Sequence, residues 1–300
     1  MPNTLCHCGV QLPFFVRRDD RAPLLWAMIG CIIPDLPWMA VKALVPLALF
    51  NPYDLRLYCT AQASFFCCLL LAAALSCCAS RRGVVFAILA GNCLAHLLLD
   101  AVEIKWGNGV HLLLPFSTEM TRFALLWPEH PLVLLGSGLG LVLLLALLFT
   151  PSAVAVTLPS KRRLAQAALP FLLYLIAPLA LMGPLEKADA YALHTLRLVD
   201  ERGGKAVCFD RAHYFATSRQ LRTYAGEDIA VVGKLPAQSG RVSFCGRFVS
   251  PSLFRAEEMY PHQDPRDLAT LAGLFLACAL LAQSVILPHF RSAKNIQGPP

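Results

Sequence analysis

Apolar residues in this chain are gathered into long stretches, and these limit the folds open to it more than any other feature. A helix needs about 20 mainly apolar residues to span the hydrocarbon core of a bilayer. Only 15% of the residues are charged, against about 25% in soluble domains. The sequence therefore predicts a polytopic α-helical membrane protein with about six transmembrane helices, at Leu24–Phe50, Leu57–Ser80, Gly83–Val102, Pro131–Phe149, Ala165–Gly183 and Leu268–Leu287.

The first stretch is the least regular, because Pro34, Asp35 and Pro37 interrupt it. Proline removes a backbone donor and breaks a helix. A helix broken there ends with the negative end of its dipole close to Asp35, which favours a cation. The alternative is that Asp35 merely caps the broken helix.

The positions of Lys and Arg in short loops predict the orientation, because such residues are retained on the cytoplasmic side. With the N-terminus inside, only Arg56, Lys105 and Arg122 fall in short outer loops. We therefore expect both termini in the cytoplasm and residues 184–267 outside, and the net charge of +7 then calls for no nucleic-acid partner. The inner residues are Arg17, Arg18, Arg21, Arg81, Arg82, Lys161, Arg162, Arg163, Arg291 and Lys294.

The chain divides into three parts: a membrane domain (1–183), an external β-rich domain (184–267), and a last transmembrane helix with a disordered tail (268–300). Between Ala190 and Pro261, charges recur every few residues and short runs alternate apolar with polar. This pattern, with Gly turns, predicts a small barrel or sandwich. The run Gly226–Lys234 resembles the centre of an OB-type barrel. Strands are predicted at Val207–Asp210, Asp228–Lys234 and Arg241–Ser250.

The chain has 12 cysteines, and most of them sit in or beside the apolar stretches. There cysteine behaves as a small apolar residue. Cys208 and Cys245 are the pair in the external domain. In an oxidising compartment they can form a disulfide, but the sequence leaves this open.

Ionisable groups inside an apolar span are costly, so they mark candidate functional sites. His96 and Asp100 are four residues apart and share one helical face. Asp35 and His96 lie at depths of roughly 17 and 20 Å from the same side, at 1.5 Å per residue. The two groups meet if their helices are neighbours. The alternative is that His96 and Asp100 form a satisfied buried pair without a ligand.

Together, several of these motifs resemble a known family. They are His7, the Gly30-x-x-x-Pro34-Asp35 turn, His96-Leu-Leu-Leu-Asp100, and the run from Gly107 to Ser117. They resemble the YdjM-type family of bacterial inner-membrane proteins, described as metal-dependent hydrolases, with some members under LexA control. The resemblance covers roughly residues 1–150.

The resemblance implies that His7, Asp35, His96 and Asp100 are metal ligands or their neighbours, with His111 a further candidate. This sequence departs from the family pattern where Cys6 and Cys8 flank the first histidine, and where Pro37 replaces a second aspartate. The first coordination shell can therefore differ.

The expected chemistry is that of a divalent ion, zinc by ligand type, with an open position for water. Such a metal lowers the pKa of bound water toward ~7 and polarises a carbonyl or phosphoryl oxygen. Asp100 or Glu103 would act as general base. A site at membrane depth suggests a membrane lipid, or another membrane-delivered ester or phosphoester, as the substrate.

His7 raises a conflict, because an N-terminus in the cytoplasm places it far from Asp35 and His96. Three alternatives stay open at this point. Residues 4–16 enter the membrane as a re-entrant helix, or His7 is not a ligand, or the orientation is inverted.

Two non-enzymatic functions compete with the hydrolase hypothesis. Transporters use broken helices near the membrane midplane, as around Pro34 and Pro37, although no inverted repeat is visible. A scaffold would present a strand or groove of the external domain to a peptide, a glycan or an envelope protein.

Overall fold

A computed structural model describes residues 3–16, 20–150, 159–262 and 266–296, with side chains up to residue 284. Arg17 and Arg18, which contribute to the predicted orientation, lie outside the described residues. So does the end of the tail, 297–300, and the side chains of Arg291 and Lys294 are likewise not described.

Most of the described chain is helical, and one small β region follows the ninth α-helix. Short 3₁₀ turns join several helices, at Leu12–Phe15, Ile33–Asp35, Val45–Leu47, Ala190–Ala192 and Val199–Glu201. The α-helices are α1 (Thr4–Gln11), α2 (Ala22–Ile32), α3 (Leu36–Leu44), α4 (Pro52–Gln62), α5 (Phe65–Cys77), α6 (Arg82–Val102), α7 (Pro131–Phe149), α8 (Lys161–Lys187), α9 (Leu193–Arg197) and α10 (Arg266–Ile296).

Within the described ranges, five helical segments are long and apolar enough to cross a membrane: Ala22–Leu47, Arg82–Val102, Pro131–Phe149, Lys161–Lys187 and Arg266–Ser284. The pair α4–α5 makes a sixth if it is counted as one span, although it bends by 66°. All six apolar stretches of the sequence are therefore helical. The bend follows from Ser64, which caps α5 by accepting a hydrogen bond from the Cys67 backbone N–H.

The predicted break in the first stretch is present. A 3₁₀ turn at Ile33–Asp35 separates α2 from α3, and Pro34 and Pro37 stand at the starts of the turn and of α3. Proline fits the first turn of a helix but cannot continue the one before it. The chain therefore changes direction at Asp35.

Helix α1 is buried inside the helical bundle. It packs closely on α7 through three glycines, because a Cβ at Gly9 would clash with the Gly136 carbonyl and one at Gly140 with the Leu5 carbonyl. Asn3 caps α1 and donates a hydrogen bond to Ser137 of α7 at 2.8 Å. Of the three alternatives for His7, the structure agrees with the one in which this segment packs among the other helices.

The β region is a closed five-stranded barrel with strand order β1-β2-β3-β5-β4. Neighbouring strands are antiparallel except β3 and β5, which pair in parallel. The sequence prediction of a small barrel is confirmed for its three predicted strands, whereas the sequence does not locate β2 or β5. The strands are β1 (Ala206–Phe215), β2 (Gln220–Arg222), β3 (Asp228–Gly233), β4 (Gly240–Ser250) and β5 (Leu253–His262).

The barrel core is aromatic, and a disulfide joins two of its strands. Phe244 and Phe248 of β4 and Phe254 of β5 are buried in one cluster, in which the rings of Phe248 and Phe254 meet edge to face. Cys208 and Cys245 face each other on β1 and β4 and are joined as a disulfide. The cysteine pairing left open by the sequence is thus made in the structure.

Candidate metal centre

Three side chains from two distant segments meet in the bundle. The potential ligand atoms of His7, His96 and Asp100 all lie within 4.8 Å of one another, and all three residues are buried. His7 Nε2 lies 3.4 Å from Asp100 Oδ1, and His96 Nε2 lies 3.8 Å from Asp100 Oδ2. Two imidazoles and one carboxylate therefore converge on one point, and this cluster could hold a metal ion.

The orientation of His96 is set by the break after α2. Its Nδ1 lies 2.6 Å from the carbonyl oxygen of Cys31, which can only accept a hydrogen bond, so Nδ1 carries the proton. In the neutral ring this leaves a lone pair on Nε2, which is the form that binds metals. Nε2 has no hydrogen-bond partner in the described part of the chain.

His7 reaches the cluster from α1. Its Nδ1 lies 3.3 Å from the Gln11 side-chain amide, one helical turn away, and its Nε2 points to Asp100. Gln11 also accepts a hydrogen bond from the Cys31 thiol at 3.0 Å. Gln11 therefore contacts the His7 ring and Cys31 contacts the His96 ring, each on the side away from Asp100.

Asp35 lies beside the cluster. One of its carboxylate oxygens is 3.6 Å from His96 Nε2, and the side chain is slightly exposed. The two groups therefore meet, as the sequence predicts if their helices are neighbours. Asp35 stands next to the three-residue group as a fourth donor and a second carboxylate.

The donor set fits a divalent metal ion. His7 Nε2, His96 Nε2 and Asp100 Oδ1 are buried without a hydrogen-bond partner among the described residues. Buried polar atoms normally have partners, since leaving them unpaired costs free energy. Imidazole nitrogen and carboxylate oxygen are the ligands that zinc and similar ions take from proteins. A bound cation would satisfy all three atoms at once.

A second charged group adjoins the cluster at the end of α6. Lys105 Nζ lies 3.5 Å from both Asp100 Oδ1 and Glu103 Oε2, and Arg266 lies 3.8 Å from Glu103 Oε2. Burial raises the pKa of Glu103, but nearby positive charges, Arg266 and Lys105 among them, outweigh it and hold that pKa at about 2. Glu103 is therefore ionised, and Lys105 contacts both its carboxylate and that of Asp100.

His111 is not brought into the three-residue cluster. It lies in the loop after α6, where its ring centroid is 5.8 Å from that of Tyr191. Burial lowers the pKa of His111 to about 4, so the ring is neutral at neutral pH. His111 lines the cavity beside the cluster.

That cavity has a volume of about 140 Å³ and runs from Asp100 toward the barrel. Its walls include Arg56, Lys105, His111 and Tyr191. A wider groove of about 530 Å³ follows the barrel surface and shares Arg56 and Tyr191 with the cavity. The cluster is thus reached from the barrel side of the bundle.

One arrangement of polar groups was missed by the sequence. Ser243 Oγ lies 2.9 Å from His262 Nε2, and His262 Nδ1 lies 2.8 Å from Glu129 Oε1. The order resembles a Ser-His-Glu triad. Ser243 is 0% exposed, and its Oγ also bonds Asp210 and the Arg211 backbone N–H. These hydrogen bonds therefore fasten the barrel to the loop before α7. The buried Ser243 hydroxyl is closed to a substrate.

Comparison with known proteins adds no relative: no family model, no curated protein and no solved structure matches this chain.

Proposed function

We propose that this protein is a membrane-embedded, metal-dependent hydrolase with a zinc centre at His7, Asp35, His96 and Asp100. The observation that carries the proposal is the convergence on a buried carboxylate of two imidazole nitrogens that have no hydrogen-bond partner among the described residues. Such a set is costly to bury without a cation.

Exposed apolar side chains on three helices support a membrane location. Their number far exceeds the scattered apolar residues that soluble surfaces tolerate. We place the protein in the bacterial inner membrane, with the segments carrying Arg21, Arg81 and Arg82 in the cytoplasm and the barrel, of OB type, outside. The exposed side chains on α7, α8 and α10 include Leu135, Val142, Leu169, Leu179, Leu271 and Phe275.

Kinship with the YdjM-type family is part of the proposal. The motifs that carry the resemblance lie far apart in the sequence, yet His7, Asp35, His96 and Asp100 come within contact distance of at least one other member. A chance match of short motifs would not favour such convergence.

Each residue then has a definite task. When bound, zinc lowers the pKa of a coordinated water toward ~7 and polarises the oxygen of an ester or phosphoester. The Cys31 carbonyl holds His96 in the tautomer with a free Nε2. Asp100 lines the cavity and is the carboxylate placed to take a proton from water, while Glu103 keeps Lys105 in position beside it.

The substrate class follows from where the cluster lies. Asp100 sits near the end of an apolar helix, and the cavity beside it opens toward the barrel. We propose that the substrate is a membrane lipid or a similar membrane-delivered ester or phosphoester, whose reacting group enters the cavity while its apolar part stays among the helices.

The test is the metal content of the detergent-purified full chain, measured by elemental mass spectrometry. We expect close to one equivalent of zinc in the wild type and its loss in both His96→Ala and Asp100→Ala. His194→Ala, on α9, is the matched control and should keep the metal. A wild type that stays metal-free after reloading with zinc would remove the basis of the proposal and shift attention to the transporter and scaffold alternatives.

A further inference from the structure

Arg56 of α4 makes no ion pair within the described part of the chain, although Asp210 lines the same cavity. Three aromatic rings surround its guanidinium, with centroids 4.1 Å away for Tyr224, 5.5 Å for Tyr191 and 5.8 Å for Trp38. Its Nε is buried without a hydrogen-bond partner in the described part of the chain. No carboxylate among the described residues lies within ion-pair distance of it, whereas Lys105 in the same cavity pairs with two.

A guanidinium in this setting is suited to an oxyanion. Aromatic faces offset part of the cost of removing the charge from water. They leave the Nε–H donor unsatisfied, and a buried unsatisfied donor is costly. The planar fork of arginine matches the paired oxygens of a phosphate or carboxylate.

The position of Arg56 connects it with the metal centre. Arg56 and Asp100 line the same cavity of about 140 Å³. A water molecule occupies about 30 Å³ in the liquid, so the cavity takes a small head group and not a whole amphipathic molecule. A head group at Arg56 would lie in the same cavity as Asp100, the member of the cluster that lines it.

The groove beyond Arg56 carries more positive than negative side chains. Arg211, Arg222 and Arg241 line it along the barrel, and Asp210 is an acidic residue in its wall. A cleft with an excess of one sign of charge concentrates ions of the opposite sign. An anionic group is therefore drawn along the groove toward Arg56.

We propose that Arg56 binds a phosphoryl oxyanion, which makes the substrate of the metal centre a phosphoester. The catalytic meaning of this site rests on the proposed function, whereas binding at Arg56 rests on its own contacts. A phosphoryl group offers more acceptor oxygens than a carboxylate, and the cavity wall also carries Lys105 and the Asn108 amide.

The experiment measures binding to the full chain in detergent, treated with a chelator so that no hydrolysis occurs. The probes are inorganic phosphate, a dihexanoyl phosphatidic acid and an uncharged dihexanoylglycerol, each titrated while the thermal midpoint is followed. We expect Arg56→Gln to weaken binding of the phosphate-bearing probes by about tenfold or more. Arg56→Lys, which keeps the charge and loses the fork, should show a smaller loss.

Arg247→Gln is the matched control, because it removes an exposed arginine of β4 that pairs with Glu257 away from the cavity. It should bind all probes as the wild type does. If Arg56→Gln fails to fold, the comparison of Arg56→Lys with Arg247→Gln decides. Tighter binding of the phosphatidic acid than of inorganic phosphate identifies a lipid head group, and equal binding identifies a free phosphate.

Unchanged phosphate binding in both Arg56 variants would overturn the inference, as would equal binding of the uncharged lipid. Metal content separates this inference from the proposed function. A zinc-loaded wild type that binds no phosphate rejects the Arg56 site alone, whereas phosphate binding to a protein that takes up no zinc rejects the hydrolase alone.

Discussion

The imidazole rings of His7 and His96 stack face to face, with centroids 3.6 Å apart and planes within 1° of parallel. The stack sets both Nε2 atoms on the side of Asp100. The stacked rings are a side-chain contact between α1 and α6. The position of α1 therefore decides whether the cluster has one imidazole or two.

Gln11 should tune the metal affinity through His7, because its amide contacts His7 Nδ1. A group that orients a ligating histidine typically contributes 10–100-fold to metal affinity. We expect Gln11→Ala to weaken zinc binding by about that factor and His7→Ala to weaken it further, as measured by competition with a chelating dye. Gln62→Ala, which removes an amide that bonds Tyr58, is the control. Equal zinc affinity in the Gln11 and Gln62 variants would contradict the role of Gln11.

Two glycines of α7 should respond differently to the same substitution. A Cβ at Gly140 would clash with the Leu5 carbonyl, whereas one at Gly138 meets nothing within 4 Å. Gly140→Ala should therefore destabilise the bundle by about 1–3 kcal/mol, as overpacked contacts do, and should lower zinc content by moving α1. Gly138→Ala should leave both unchanged. Thermal unfolding and metal analysis of the two variants test this, and similar behaviour of the pair would refute the close packing.

The barrel should depend on one buried arginine. Arg202 is fully buried and bonds both oxygens of Glu227, together with the carbonyls of Leu196 and Pro251. Arg202→Met would leave Glu227 unpaired and destabilise the barrel by on the order of 2–3 kcal/mol, less than for a fully buried pair because Glu227 is partly exposed.

Arg222→Met is the control for this change. Arg222 also makes a bidentate pair, with the carboxylate of Asp228, but that pair is exposed and should contribute little to stability. Urea unfolding followed by tryptophan fluorescence reports on the barrel through Trp127, which stacks on Tyr260 of β5 at 3.6 Å. Equal urea midpoints for the two variants would show that burial of Arg202 adds nothing to the stability of the barrel.

Stability should fall as the pH drops below about 6.5. Burial lowers the pKa of His262, and Arg211 lowers it further, against the opposing effects of Glu129 and Asp210. Between the folded pKa and ~6.5 the unfolded chain binds more protons than the folded one, so stability is full above that range and declines through it as pH falls. Thermal midpoints from pH 8 to pH 5 should fall less in His262→Gln than in the wild type. Parallel profiles would show that another group governs the decline.

The local parts of the fold could be predicted from the sequence. Apolar length located all six helical stretches, two prolines located the break at Asp35, and alternation located three strands. The pair His96 and Asp100 followed from helical spacing. Each of these features depends on residues close together in the chain.

The remaining features depend on tertiary packing. Helix α1 is buried because glycines on α7 let it approach closely. In the sequence, those glycines look like ordinary residues of a membrane helix. The aromatic surroundings of Arg56 arise because α3, the 3₁₀ turn at Ala190–Ala192 and the barrel bring Trp38, Tyr191 and Tyr224 around it. The chain from Ser243 to Glu129 joins residues that no local spacing relates.

The contact between α1 and α10 has a consequence for biogenesis. Gly273 of α10 lies so close to the backbone of Leu5 that a side chain there would press on it. Domains generally fold as the chain emerges, N-terminal parts first, yet α1 gains this wall only from α10, which follows the barrel in the chain. The packing around His7 is therefore completed only after the barrel and α10 have been synthesised, and a metal ion at the proposed centre would be enclosed no earlier than that.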